Sequence, residues 1–136
     1  SPAGALAYCI LTDQIPRNIF RGSAQAFATD ANARAAARIA LHRDWDLSIS
    51  IPARQFFYMP LEHAENIVDQ DRAVDLFATR MPDDAEMLLH ARAHRAVIRR
   101  FGRFPHRNAA LGRPDTPEEA AWLADGAYGA EVRRLR

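Results

Sequence analysis

"PLEHAENIVDQDRAVDLFATRMPDDAEMLLHARAHRAVIRRFG", residues 60–102, is broken by a single internal proline, Pro82, and its apolar residues recur at helical spacing. Pro60 suits the first turn of a helix running through about Arg80, because a proline there gives up only an N–H that has no helical partner. At 100° per residue Ala64, Ile67, Val74, Ala78 and Met81 form an apolar stripe, with Glu62, Glu65, Asp69 and Arg72 opposite. Asp83 and Asp84 start a second helix, which carries Met87, Val97, Ile98 and Phe101 on one side and Arg92, Arg95, Arg99 and Arg103 on the other. Gly102 fits its C-terminal cap. The pair predicts an all-α fold of antiparallel helical hairpins.

The flanking sequence extends that pattern. Prolines at 16, 52, 60, 82, 105, 114 and 117 divide stretches rich in Ala, Leu, Arg, Glu and Met. One helix is expected from about Gly4 to Thr12, ahead of a break at Asp13-Gln14-Ile15-Pro16. Another should start at Thr29-Asp30, where either side chain can cap, and run to about Asp46. Its alanines permit close helix packing. "LSISIP", Leu47 to Pro52, alternates like a strand but has no second strand to pair with, so it is expected to be an extended connection. "ARQFFYM" between Pro52 and Pro60 reads as a short aromatic helix. A last helix begins at Thr116-Pro117-Glu118-Glu119, with threonine as N-cap and glutamates near the positive helix end, and should stop near Gly126.

With 136 residues, 49% of them hydrophobic, the chain is expected to form one helical domain over residues 1–136 with a sizeable core. The single cysteine, Cys9, cannot make an internal disulfide, which points to a reducing, cytoplasmic setting. No apolar run approaches the ~20 residues of a membrane span. The chain begins Ser-Pro rather than Met and enters apolar sequence at once, so a natural N-terminal segment is expected to be missing.

Net charge is +1, which argues against a dedicated nucleic-acid binder, although the charges are segregated and every Lys/Arg position is arginine. Eight acids lie between Glu62 and Glu86, whereas Arg92 to Arg113 holds seven arginines and no acid. The ordinary reading is attraction between two neighbouring helices of opposite charge.

A turn is written twice: "RNIFRG", Arg17 to Gly22, and "RNAALG", Arg107 to Gly112, each following a proline closely. Asn18 and Asn108 would be N-caps of one helical turn, and Gly22 and Gly112 would supply positive φ. That leaves the arginines unexplained, since a cation beside a helix N-terminus is unfavourable unless an anion is present. Asp13 is the expected internal partner; a phosphate, sulfate or carboxylate is the external one.

The segments "DQIPRNIFRGSAQAFATD", "FFYMPLEHAE", "DQDRAVDLF" and "HRAVIRRFGRFPHRNAALGRPDTPEE" together resemble the bacterial family called domain of unknown function 924. The resemblance covers most of the chain. It implies an all-helical, tetratricopeptide-like fold, a right-handed array of helices. Members usually carry a further N-terminal helical segment containing tryptophan. The resemblance implies no established activity, substrate or cofactor and no catalytic residues.

His63 and Gln70 fall on the apolar side of their helix, and His90 and His94 near the Val97–Phe101 stripe, where each needs a hydrogen-bond partner. His90 and His94 also have the i, i+4 spacing of a metal pair, with His63 or Asp71 as a third ligand, but lack the glutamate of His-Glu-x-x-His. No nucleophile elbow, phosphate loop or cofactor motif is present, and no cofactor is expected. The favoured function is a binding module whose groove presents Asp13, Gln14, Arg17, Asn18, His63, Arg103, His106, Arg107 and Asn108 to a small anion or an acidic peptide. The alternative is a small enzyme using His63, His94 or His106 as general acid or base beside a carboxylate such as Asp13, or a metal held by His90 and His94.

Overall fold

The computed structural model describes all 136 residues, and every regular element is a helix. Chain order gives α1 (Pro2–Cys9), α2 (Ile15–Ile19), α3 (Asp30–His42), α4 (Met59–Glu62), α5 (Ile67–Arg80), α6 (Ala85–Phe101), α7 (Asn108–Leu111), α8 (Pro117–Ala124) and α9 (Ala127–Leu135), with 3-10 turns in the links α2–α3, α3–α4 and α6–α7. The all-α expectation holds. No helix is long and apolar enough to cross a membrane.

The expected break before Pro16 is not a break. A π-helical turn, Ile10–Gln14, joins α1 to α2, and the Ile15 N–H donates to the Ile10 carbonyl. The wider turn accommodates the proline, and the Thr12 carbonyl that Pro16 cannot bond accepts the Thr29 hydroxyl at 2.6 Å. Thr29 therefore makes no side-chain cap on α3. Along α3 the buried Ala33, Ala37 and Ala40 present almost no side chain, so α1 packs close; the Cys9 thiol lies 3.9 Å from the Ala33 carbonyl. Burial pushes that thiol up to about 12, with Asp13 adding to the effect.

The long helix expected from Pro60 to Arg80 is two helices. After the single turn of α4 the chain leaves helical geometry at His63–Asn66, and Asn66 caps α5 by accepting the Asp69 N–H. The buried Gln70 amide donates to the carbonyls of Glu62 and Ala64, supplying the partners the interruption removes. "ARQFFYM" is mostly a 3-10 turn, Ala53–Phe57. α3 stops at His42 rather than Asp46, and "LSISIP" opens in the 3-10 turn Trp45–Ser48 before Ile49 becomes extended.

α6 has Asp84 as its N-cap and Gly102, at φ 73°, as its C-cap. Thr116 caps α8 as expected, and Glu119 completes a capping box with it, but the chain continues past Gly126 into α9. Thirteen buried residues from α1, α3, the Phe57–Leu61 stretch, α5 with Met81 just after it, and Ala91 of α6 form the main core. A smaller cluster of Val97, Ile98, Phe104 and Trp122 lies at the other end of α6.

Candidate functional site

Asp13 sits in the π turn and is 1% exposed. Both its oxygens face His63 Nδ1, at 2.9 and 3.0 Å, Gln14 donates at 2.7 Å, and Arg17 at 3.1 Å. Burial alone would raise this carboxyl; His63, then Arg17 and Gln14, hold it below the usual carboxylate range. Nδ1 of His63 is thus engaged by Asp13 and its Nε2 makes no hydrogen bond within the protein, and the residue lines an open groove of about 480 Å³.

The two Arg-Asn turns meet beside that groove. Arg17 makes a two-pronged pair with Asp30, at 2.7 and 2.8 Å, and Arg107 Nη1 stands 3.9 Å from the same carboxylate. Both guanidinium groups lie over the Phe27 ring, at 5.5 and 4.6 Å. Arg107 also donates to the His63 carbonyl at 2.9 Å. Its pKa falls to about 10 through burial and then through Arg17. The shared internal partner is thus Asp30, at the start of α3, and not Asp13. Asp30 went unnoticed because a capping role already explained an Asp after Thr29.

Neither asparagine is an N-cap. Asn18 lies inside α2, exposed, and donates to the Gln14 carbonyl. Asn108 is buried, donates to Asp115 and accepts from Arg113. Gly22 and Gly112 do take positive φ, 78° and 66°. Arg103 is held away from the groove by both oxygens of Glu119 and by the Pro114 carbonyl. His106 is exposed and stacks on the Trp122 ring, with centroids 6.4 Å apart.

Along the groove, Asp30, Ala31, Arg34 and Arg38 come from α3, His63 to Asn66 from the interruption before α5, Asp69 from its first turn, and Arg107 and Leu111 from the second Arg-Asn turn. Each carboxylate here is already matched: Asp30 by Arg17, Asp69 by Arg38 at 3.0 and 2.8 Å, Glu65 by Arg113 at 2.8 and 3.0 Å. Arg34 has no carboxylate partner. The starts of two long helices, α3 and α5, also bring their positive ends to the groove.

The sequence of the chain matches the family described as "Bacterial protein of unknown function (DUF924)" over residues 1–127. The chain belongs to that family. The solved structure of a protein of unknown function from Agrobacterium tumefaciens superposes with a TM-score of 0.87 at 47% sequence identity, covering 93% of this chain and 70% of that one. No curated protein matches the chain.

A second polar cluster lies behind His63 in this DUF924 chain. Glu62 is 2% exposed, and its Oε1 has no hydrogen bond, with His94 Nδ1 at 3.3 Å. His94 Nδ1 faces its own helix, at 2.7 Å from the His90 carbonyl, and the Tyr128 hydroxyl at 3.2 Å. Tyr128 in turn reaches His90 Nδ1 at 2.5 Å. Burial, reinforced by Asp13, raises Glu62 to about 8; burial and then His63 lower His94 to about 3. His90 and His94 thus converge on a tyrosine, and no three His, Cys, Asp or Glu side chains are arranged to hold a metal ion. Tyr128 was beyond the last helix expected from sequence.

Proposed function

We propose that the groove binds a small anion, a phosphate or a carboxylate, between the start of α3 and the start of α5. Arg34 carries this reading: it is the one groove arginine with no carboxylate within ion-pair distance, in a groove whose carboxylates are all taken. Arg107 supports it, because its Asp30 contact is long at 3.9 Å and leaves donor capacity toward the groove. The positive ends of α3 and α5, whose first turns line the groove, also favour an anion there. A cavity of about 480 Å³ fits a small molecule or the acidic terminus of a peptide.

The same reading takes residues 1–136 as one cytoplasmic helical domain, with α5 and α6 as an antiparallel hairpin of a tetratricopeptide-like right-handed array. The four-residue link between them and the Arg95–Asp71 and Arg99–Asp71 pairs, at 3.4 and 3.7 Å, support the hairpin.

Thermal denaturation tests the groove. Phosphate or sulfate should raise the Tm, by the equivalent of ~2.7 kcal/mol at a hundredfold excess over Kd. Arg34→Gln should abolish that rise while moving the anion-free stability by less than about 0.5 kcal/mol, since Arg34 holds nothing else in place. A rise that survives Arg34→Gln, or no rise at all, rejects the groove as an anion site.

A further inference from the structure

We propose that the groove is hydrolytic, with His63 as the general base that activates a water against a phosphate ester seated on Arg34 and Arg107; this rests on the anion-binding reading above. The geometry has the parts of such a base. Asp13 holds Nδ1 with both oxygens, at 2.9 and 3.0 Å, which orients the ring. His63 lines the groove, and its Nε2 makes no hydrogen bond within the protein, which leaves that nitrogen for the water. Asp13 is itself anchored by Gln14 and Arg17. The His63 carbonyl is tied to Arg107 at 2.9 Å, so base and anion clamp are fixed to each other rather than to separate mobile segments.

The lining residues choose the nucleophile. They include no serine, threonine or cysteine. Their carboxylates, Asp30, Glu65 and Asp69, are each bound through both oxygens by an arginine and are poor attacking groups. Water remains. A phosphoryl centre suits the clamp, because guanidinium forks can bind its non-bridging oxygens and stabilise the charge on the very centre under attack. In the step, a water O–H proton passes to His63 Nε2 while the water oxygen bonds to phosphorus. The bond from phosphorus to the ester oxygen breaks, its electron pair leaving with that oxygen. An alcohol leaving group then takes a proton from the imidazolium or from solvent, and a nitrophenolate leaves as the anion.

Release of nitrophenolate from bis(p-nitrophenyl) phosphate and p-nitrophenyl phosphate tests this in parallel with phosphate-dependent Tm. The wild-type protein should hydrolyse at least one of the two esters. His63→Gln should lose about 100-fold or more of the turnover yet keep the Tm rise with phosphate. Arg34→Gln should raise KM, and its fold is secure because the residue has no structural partner. Asp13, a positioning residue, should lower kcat without raising KM when changed to Asn. Phosphate stabilisation with neither ester hydrolysed, or turnover undiminished in His63→Gln, overturns the hydrolytic proposal and leaves the binding site standing. Absence of phosphate stabilisation overturns the binding reading itself.

Discussion

Glu62 shows what a single buried side chain does to this fold. Its ordinary carboxyl value is 4.5, and burial, with Asp13 nearby, raises it to about 8. Between those values the native protein keeps a proton that the unfolded chain has released, so the contribution of Glu62 is fully present below about 4.5 and is lost as pH rises toward 8. The groups facing it are His94, Asp13 and Tyr128, and these are unchanged when Glu62 becomes Gln. Wild type should therefore lose more stability than Glu62→Gln between pH ~5 and ~8, by more than about 1 kcal/mol, since each pKa unit is worth about 1.4 kcal/mol. Urea midpoints at the two pH values measure the difference. Parallel curves would mean that Glu62 is ionised in the native state and paired with a protonated His94. The sequence put Glu62 on the polar face of its helix, and it is among the most buried side chains; an unbroken helical wheel cannot show a residue turned inward by a break one position later.

At the scale of elements, the legible features were local and the missed ones were repaired from a distance. Asp84, Gly102 and Thr116 cap their helices within three or four residues, and each was readable. The interruption at His63–Asn66 was not, because periodicity carries on through it and its lost hydrogen bonds are supplied by Gln70 from the next helix. Asn66 ahead of Asp69 was the available signal. Pro16 is the reverse case: the sequence shows a breaker, but the Thr29 hydroxyl, seventeen positions from Thr12, takes the orphaned carbonyl. Thr29→Val keeps the shape and removes that donor, so it should cost ~1–3 kcal/mol, the penalty for leaving a buried acceptor unpaired. Thr29→Ser retains the hydroxyl and should recover most of the loss. Equal destabilisation by both would assign the effect to packing of the γ-methyl instead.

Across the whole molecule, the candidate site joins segments far apart in the chain. His63 meets Asp13 across 50 positions and Arg107 across 44. Residue types and turns could therefore be read while their convergence could not. The two cores that frame the site are unequal: thirteen buried residues against Val97, Ile98, Phe104 and Trp122. Apolar burial scales with stability, so the end carrying α8 and α9 should open at lower free energy than α3 and α5. Within it Trp122 donates to the buried Glu131 at 3.0 Å and Phe101 meets the Trp122 ring edge-on at 5.5 Å, while Tyr128–His90 and Arg136–Glu86 contacts tie α9 back to α6. Native-state hydrogen exchange should show amides of α8 and α9 exchanging through a sub-global opening while α3 and α5 exchange only on global unfolding. Trp122→Ala, a truncation that costs ~3–5 kcal/mol in a well-packed core, should then lower protection in α8 and α9 far more than in α3 and α5. His94 bridges the two regions, its ring edge-on to Phe104 at 5.6 Å and its Nδ1 beside Glu62. If that bridge couples them into one cooperative unit, Trp122→Ala will reduce protection equally everywhere, and the picture of a separable C-terminal end fails.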